Sequence, residues 1–161
     1  MALDIAELTL GAGWLGICPM PGRHGDYAGD LAKIKAWGPA LVLTMTTLDE
    51  VRVKGACNLG SDLAALGIVW AHLPVADFGV PAGNVQAMWP RISAEAHNIL
   101  SNGGKVLAHC MGGCGRSGTA LLRLMVEAGE DPTAALNRLR AVRPCAVETS
   151  AQVAWSSTPN R

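Results

Sequence analysis

Between Val106 and Leu122 the chain reads VLAHCMGGCGRSGTALL, a stretch dense in residues able to do chemistry. A thiol, Cys110, follows an apolar run. Gly112, Gly113 and Gly115 crowd the next positions, and Arg116 and Ser117 open a helix-like segment. Glycine loses more conformational entropy on folding than any other residue, so the crowding needs a geometric reason. A glycine-rich turn between a strand and a helix N-terminus supplies one. It lets the backbone curl until its N–H groups converge, and the helix dipole adds about half a positive charge at the same place. The amides of Met111, Gly112, Gly113, Cys114, Gly115 and Arg116 would then form an anion cup, with the Arg116 guanidinium gripping two phosphate oxygens. A thiol in that field is expected to ionise readily, and a thiolate beside a bound phosphate is set for nucleophilic attack at phosphorus.

The flanking sequence can build such a turn. KVLAHC (105–110) reads as a strand arriving at it, and RSGTALLRLMVEAG places Ala120, Leu121, Leu124 and Met125 on one helical face, with Gly129 as a stop. Upstream, ALVLTM (40–45) and GIVWAHLPV (67–75) read as buried strands. DYAGDLAKIKAWG (26–38) and NLGSDLAALG (58–67) read as helices, each ended by glycine. Over 84–102, Val85, Met88, Trp89, Ile92, Ala96, Ile99 and Leu100 form one helical stripe, which Pro90 should kink or force to start late. Downstream, Asp131 caps a helix over 131–144 that begins at Pro132, with Pro144 beyond its end. TSAQVAW (149–155) begins a last short helix, on which Gln152 is expected to face solvent. Strands alternating with helices, without repeat or linker, predict a single α/β domain over 1–161: a central, largely parallel sheet flanked by helices.

HCMGGCGRSG resembles the His-Cys-x5-Arg-Ser signature of the cysteine-dependent protein tyrosine and dual-specificity phosphatases. Chance agreement at this composition is on the order of one in ten thousand. GWLGICPMPG (13–22), HLPVADFGVPAG (72–83) and AVETSAQVAW (146–155) are similar to the flanking segments of compact dual-specificity-type phosphatases, closest to the kinase-associated phosphatase group and its small bacterial relatives. The resemblance implies a phosphomonoester hydrolase that needs no cofactor. Cys110 would be the nucleophile, forming a phosphocysteine; Arg116 and the amides of Met111 to Arg116 would bind the phosphate. Ser117 would hydrogen-bond the thiolate and help it leave, and His109 would brace the loop.

An alkoxide or phenoxide leaving group needs a proton, so a carboxylic acid must stand above the cup. The family carries its acid on a mobile loop in a Pro-x-x-Asp setting, and Pro74-Val75-Ala76-Asp77 is similar. Asp77 is therefore the expected general acid, the plain alternative being an ordinary turn bond to its own backbone. Trp89-Pro90 in MWPRI looks like the Trp-Pro-Asp loop of larger tyrosine phosphatases. Arg91 stands where the aspartate would be, so the segment reads as core packing.

The chain has 13 basic and 13 acidic side chains and a formal net charge of zero, which argues against nucleic acid as a partner. No apolar run approaches the roughly 18 residues of a membrane span. MALDIAELTLGAGW carries Asp4 and Glu7 where an export signal would be basic, so the cytoplasm is expected. Five cysteines, an odd number, fit a reducing compartment better than a disulfide framework. Cys18, Cys57 and Cys145 read as small buried hydrophobes. Cys110 and Cys114 stand beside His109, but no second Cys/His group completes a zinc set, and no metal is expected. Cys114 is instead a candidate to capture an oxidised Cys110 as a disulfide.

The loop holds no lysine for polyphosphorylated lipids. A phosphotyrosine-containing protein is the expected substrate, with phosphoserine and phosphothreonine left open. Two other readings remain. One is a cysteine enzyme of the sulfurtransferase or arsenate-reductase kind, and the other a phosphoprotein-binding module without turnover.

Overall fold

Strand alternation decides how the sheet is buried. The computed structural model describes residues 3–158, and in it five strands form one sheet. They are β1 (Ala6–Leu10), β2 (Gly13–Cys18), β3 (Leu41–Thr44), β4 (Val69–His72) and β5 (Lys105–His109), in the order β1-β2-β5-β3-β4. β1 pairs antiparallel with β2, and the other neighbours are parallel. Leu15, Ile17, Leu41, Leu43, Val106 and Ala108 face one side; Val42 and Leu107 face the other. Both faces are covered, as parallel strands joined by helical crossovers require.

The first face packs against α4 (Gly83–Ser101), α5 (Gly115–Glu127) and α6 (Pro132–Val142), through Trp89, Ile92, Ala96 and Leu100, then Leu121, Leu124 and Met125, then Ala135 and Leu139. α7 (Ser150–Ser157) lies against α5. The second face takes Ile34 of α1 (Tyr27–Trp37), Val51 of α2 (Leu48–Val53), and Leu59 and Leu63 of α3 (Leu59–Ala65). The expected caps form. Asp26 accepts from Gly29 N–H and Asp131 from Ala134 N–H, while Gly38 ends α1 in the left-handed region.

Several elements depart from expectation. The β1–β2 hairpin and the six-residue α2 carry no strong periodic signal and were not foreseen. α4 does not start late: it runs over Gly83–Ser101 with Pro90 inside it, on the exposed side. β4 is an edge strand, with Val69 exposed and Trp70, Ala71 and His72 half-buried, so it is not the buried strand expected. Cys57 is exposed, and so is Cys145.

In register, Cys18 and Thr44 both stand beside His109, so the carboxyl ends of β2, β3 and β5 meet where the glycine-rich turn leaves the sheet. Ligands of open parallel sheets bind outside such carboxyl ends. Trp89 anchors the face beneath α5. It is 1% exposed, its indole N–H donates to the Glu127 carboxylate at 3.0 Å, and Trp155 meets it edge-on at 5.2 Å. Trp89→Ala should cost about 3–5 kcal/mol, the usual range for deleting a buried aromatic. Urea unfolding reads this directly, and an unchanged midpoint would show that α4 does not depend on that anchor.

Candidate active site

β5 delivers His109 and Cys110, and α5 begins five residues later at Gly115, leaving a short loop to turn the chain. Its carbonyls are tied outward. Met111 O accepts from Met20 N–H (3.0 Å) and the Arg23 guanidinium (2.9 Å), while Gly112 O and Gly113 O each accept from Arg143 at 2.8 Å. Because a trans peptide sets its N–H opposite its C=O, the amides of Gly112, Gly113 and Cys114 turn the other way. The glycines have the geometric reason sought. Gly113 adopts φ +72°, and a Cβ there would lie 2.5 Å from the Cys18 backbone; a Cβ at Gly115 would overlap the Glu148 carboxylate.

Cys110 is 2% exposed, and its Sγ lies 3.2 Å from the Ser117 hydroxyl. His109 is fully buried, and burial pushes its imidazole down to about 4, so the ring is neutral near pH 7. Its tautomer follows from its neighbours. The Cys110 carbonyl can only accept, so His109 Nδ1, 3.3 Å from it, carries the ring proton. Nε2 then accepts from the Thr44 hydroxyl (2.7 Å), whose oxygen in turn accepts from the Trp70 indole N–H (2.7 Å).

Arg116 is 2% exposed. Its Nη1 donates to Glu50 Oε1 (2.7 Å) and to Val75 O (2.8 Å), and its Nη2 to Glu50 Oε2 (2.9 Å). Its Nε is buried without a hydrogen-bond partner. Asp77 stands at the mouth with its side chain 59% exposed and Oδ1 3.6 Å from Arg116 Nη2; that oxygen also accepts from Phe78 N–H at 2.9 Å. One pocket is lined by Cys110, Met111, Gly112, Cys114, Gly115, Arg116 and Asp77, together with Arg23, Phe78 and Glu148. His109 and Ser117 are buried below it, and Gly113 backs onto β2.

Two expectations are corrected. Cys114 is disulfide-bonded to Cys145, so its sulfur is not available to Cys110, and the cysteines no longer argue for a reducing compartment. Gln152 is fully buried rather than solvent-facing. Its Oε1 accepts from the N–H groups of Glu148 (2.8 Å) and Thr149 (3.2 Å), and its Nε2 donates to Gly79 O (3.1 Å) in the Asp77 loop. Glu50, Arg143, Arg23 and Glu148 also belong to the site without having been singled out. Only Glu50 had a local signal, the Thr-x-x-Glu capping box at 47–50.

The model of the family described as "Polymorphic toxin system, DSP-PTPase phosphatase" matches residues 28–130. The chain belongs to that family. It is 33% identical over 136 residues to cyclin-dependent kinase inhibitor 3 of Mus musculus, covering 81% of this chain and 63% of that protein. The chain thus spans less than two thirds of the curated relatives it matches. Among solved structures, kinase associated phosphatase carrying serine for its catalytic-site cysteine superposes with a TM-score of 0.85 at 26% identity, covering 98% of this chain and 94% of that one. Tk-PTP in its active form is also 26% identical, with a TM-score of 0.66 over 91% of this chain and 92% of that one.

In this DSP-PTPase chain the Arg116–Glu50 pair carries a pH signature. The Arg116 hydrogen bonds hold the Glu50 carboxyl below its ordinary range. A depressed carboxylate stabilises the fold above its unfolded pKa and loses that contribution as pH falls through the folded one. Glu50→Gln should therefore destabilise by about 1.5–3 kcal/mol near pH 7, the range for a hydrogen bond to a charged group. The gap to wild type should close below about pH 4, where the unfolded carboxyl protonates. Denaturant melts across pH measure it; a gap that stays constant would rule out the charged pairing.

Proposed function

We propose that the chain is a phosphomonoester hydrolase acting on phosphotyrosine in proteins through a phosphocysteine intermediate. The observation that carries this reading is the buried, unpartnered Arg116 Nε beside Cys110, in a loop whose carbonyls are bonded outward. A buried donor without an acceptor is costly, and a phosphate oxygen would satisfy it. The similarity to kinase associated phosphatase supports a phosphoprotein substrate. Phe78, 58% exposed at the pocket wall beside Asp77, offers an apolar surface to an aryl ring.

In the first step the Cys110 thiolate attacks phosphorus while Arg116 Nε and the loop amides hold the equatorial oxygens. The P–O bond to the leaving group breaks, and the Asp77 carboxyl supplies the proton. In the second step water attacks the phosphocysteine, Asp77 takes the water's proton, and Ser117 donates to the departing sulfur. Glu50 and the Val75 carbonyl keep the arginine oriented throughout.

Two variants test the assignment with para-nitrophenyl phosphate and a phosphotyrosine peptide. Cys110→Ser should abolish turnover yet retain orthophosphate binding, since serine preserves the loop but is not ionised near neutral pH. Steady hydrolysis by pure Cys110→Ser would sink the nucleophile role. Asp77→Asn should lose roughly a hundredfold to ten-thousandfold on the phosphotyrosine peptide, the usual range for general acid catalysis. The loss should be much smaller on the nitrophenyl ester, whose phenolate departs almost unaided. A full peptide rate in Asp77→Asn would place the acid elsewhere.

A further inference from the structure

The segment between α6 and α7 touches the glycine-rich loop at several successive points. Arg143 donates from Nε to Gly113 O and from Nη2 to Gly112 O. Cys145 is disulfide-bonded to Cys114 across a Cα–Cα distance of 5.1 Å. Val147 N–H donates to Cys114 O at 3.1 Å. Arg140 of α6 holds the segment in turn, donating to Ala146 O (2.9 Å) and Val147 O (2.8 Å). Val147 adopts φ +64°, a conformation that a β-branched residue keeps only where its surroundings impose it.

Residues 111–114 lie in neither strand nor helix, so their shape depends on these outside partners. Hydrogen bonds at a pocket wall break and reform, whereas the disulfide holds Cys145 at the loop through every such opening. Cys145 is also exposed, so a small reductant can reach it, while Cys110 is 2% exposed against Ser117.

We propose that the Cys114–Cys145 disulfide is a redox-controlled clasp on the phosphate loop. Closed, it keeps the loop in its anion-binding shape; opened, it leaves Arg143 and Val147 to hold the loop alone, and phosphate is captured more weakly. Opening is a thiol–disulfide exchange. A dithiol gives two electrons and two protons, the S–S bond breaks, two thiols form, and the dithiol leaves as its own disulfide. Closing reverses this with glutathione disulfide as oxidant, yielding two glutathione thiols. The expected sign is unusual for a cysteine enzyme: reductant restores an oxidised nucleophile, but here it also weakens the binding of phosphate.

The inference rests on the phosphate cup of the proposed function, and its test keeps the two apart. Full-length protein carrying Cys110→Ser, which removes the catalytic thiol from the redox chemistry, is equilibrated with glutathione disulfide. The 114–145 linkage is then checked by mass spectrometry of unreduced peptides. Calorimetric titration with inorganic phosphate follows, before and after dithiothreitol. The dissociation constant should rise roughly tenfold on reduction, as lost preorganisation of a site commonly costs. Adding Cys145→Ser should give the weak value in both conditions, while adding Cys57→Ser should behave like the parent. Thermal melts verify that each protein is folded. Equal affinity with the clasp closed and open, or no linked peptide after oxidation, overturns the proposal. Phosphate binding in neither state overturns both the cup and the clasp. Clasp-dependent binding, with wild-type protein that turns over no phosphoester, keeps the clasp and rejects the hydrolase.

Discussion

Burying the Arg116 charge is the constraint on which the site turns. A guanidinium taken out of water costs several kcal/mol unless its donors find acceptors, and those acceptors must come from elsewhere in the fold. Glu50 supplies both carboxylate oxygens and Val75 a carbonyl. α2, which carries Glu50, has six residues and could not persist alone. Its Thr47 capping box and the buried Val51 hold it against the sheet, and Glu50 Oε1 serves the cap and the arginine together. Val75 belongs to the loop that bears Asp77. The arginine that would grip the phosphate therefore also positions the loop that would carry the acid, so phosphate grip and proton donor are geometrically coupled.

Beneath the cup, the sheet contributes a neutral floor. His109 is held uncharged by burial, and the Cys110 carbonyl, which can only accept, keeps the ring proton on Nδ1 while Nε2 accepts from Thr44. The positive charge around the loop then comes from Arg116, Arg143 and Arg23 rather than from an imidazolium. That arrangement keeps the field at the mouth, where an anion would sit, instead of spreading it through the core.

What the sequence made legible follows from how local each signal is. The strands at 41–44 and 105–109, the long helices and their Asp and Gly caps rest on periodicity and single-residue chemistry, and all formed. The glycine loop announced itself because its residue types are costly anywhere else. Partnerships between distant segments were silent. Glu50 lies 66 positions from Arg116, and the disulfide closes a separation of 31. Gln152 looked solvent-facing because a polar residue on a short helix usually is; its partner, Gly79 O, lies 73 positions away. Pro90 does not delay α4: tertiary packing of the Trp89 face carries the helix through a residue that would break an isolated one.

The helix that closes the cup is unusual in being buried on every side from Gly115 to Met125. A surface helix frays at its first turn, and an anion site built on fraying amides would have to be ordered anew with each ligand. Here Gly118 lets the Ala146–Val147 backbone pack directly on the first turn, and the Cys114 carbonyl accepts from both Gly118 and Val147 N–H groups. The first turn is thus pinned between the sheet and the segment before α7, and the amides are preorganised at the cost of an ordinary solvent-facing surface. Asp77, more than half exposed on its Gly- and Pro-bounded loop, is free of such packing. Rigidity is concentrated where charge would have to be met without delay, and freedom is left to the group that, under the proposed mechanism, must give up a proton in one step and take one in the next.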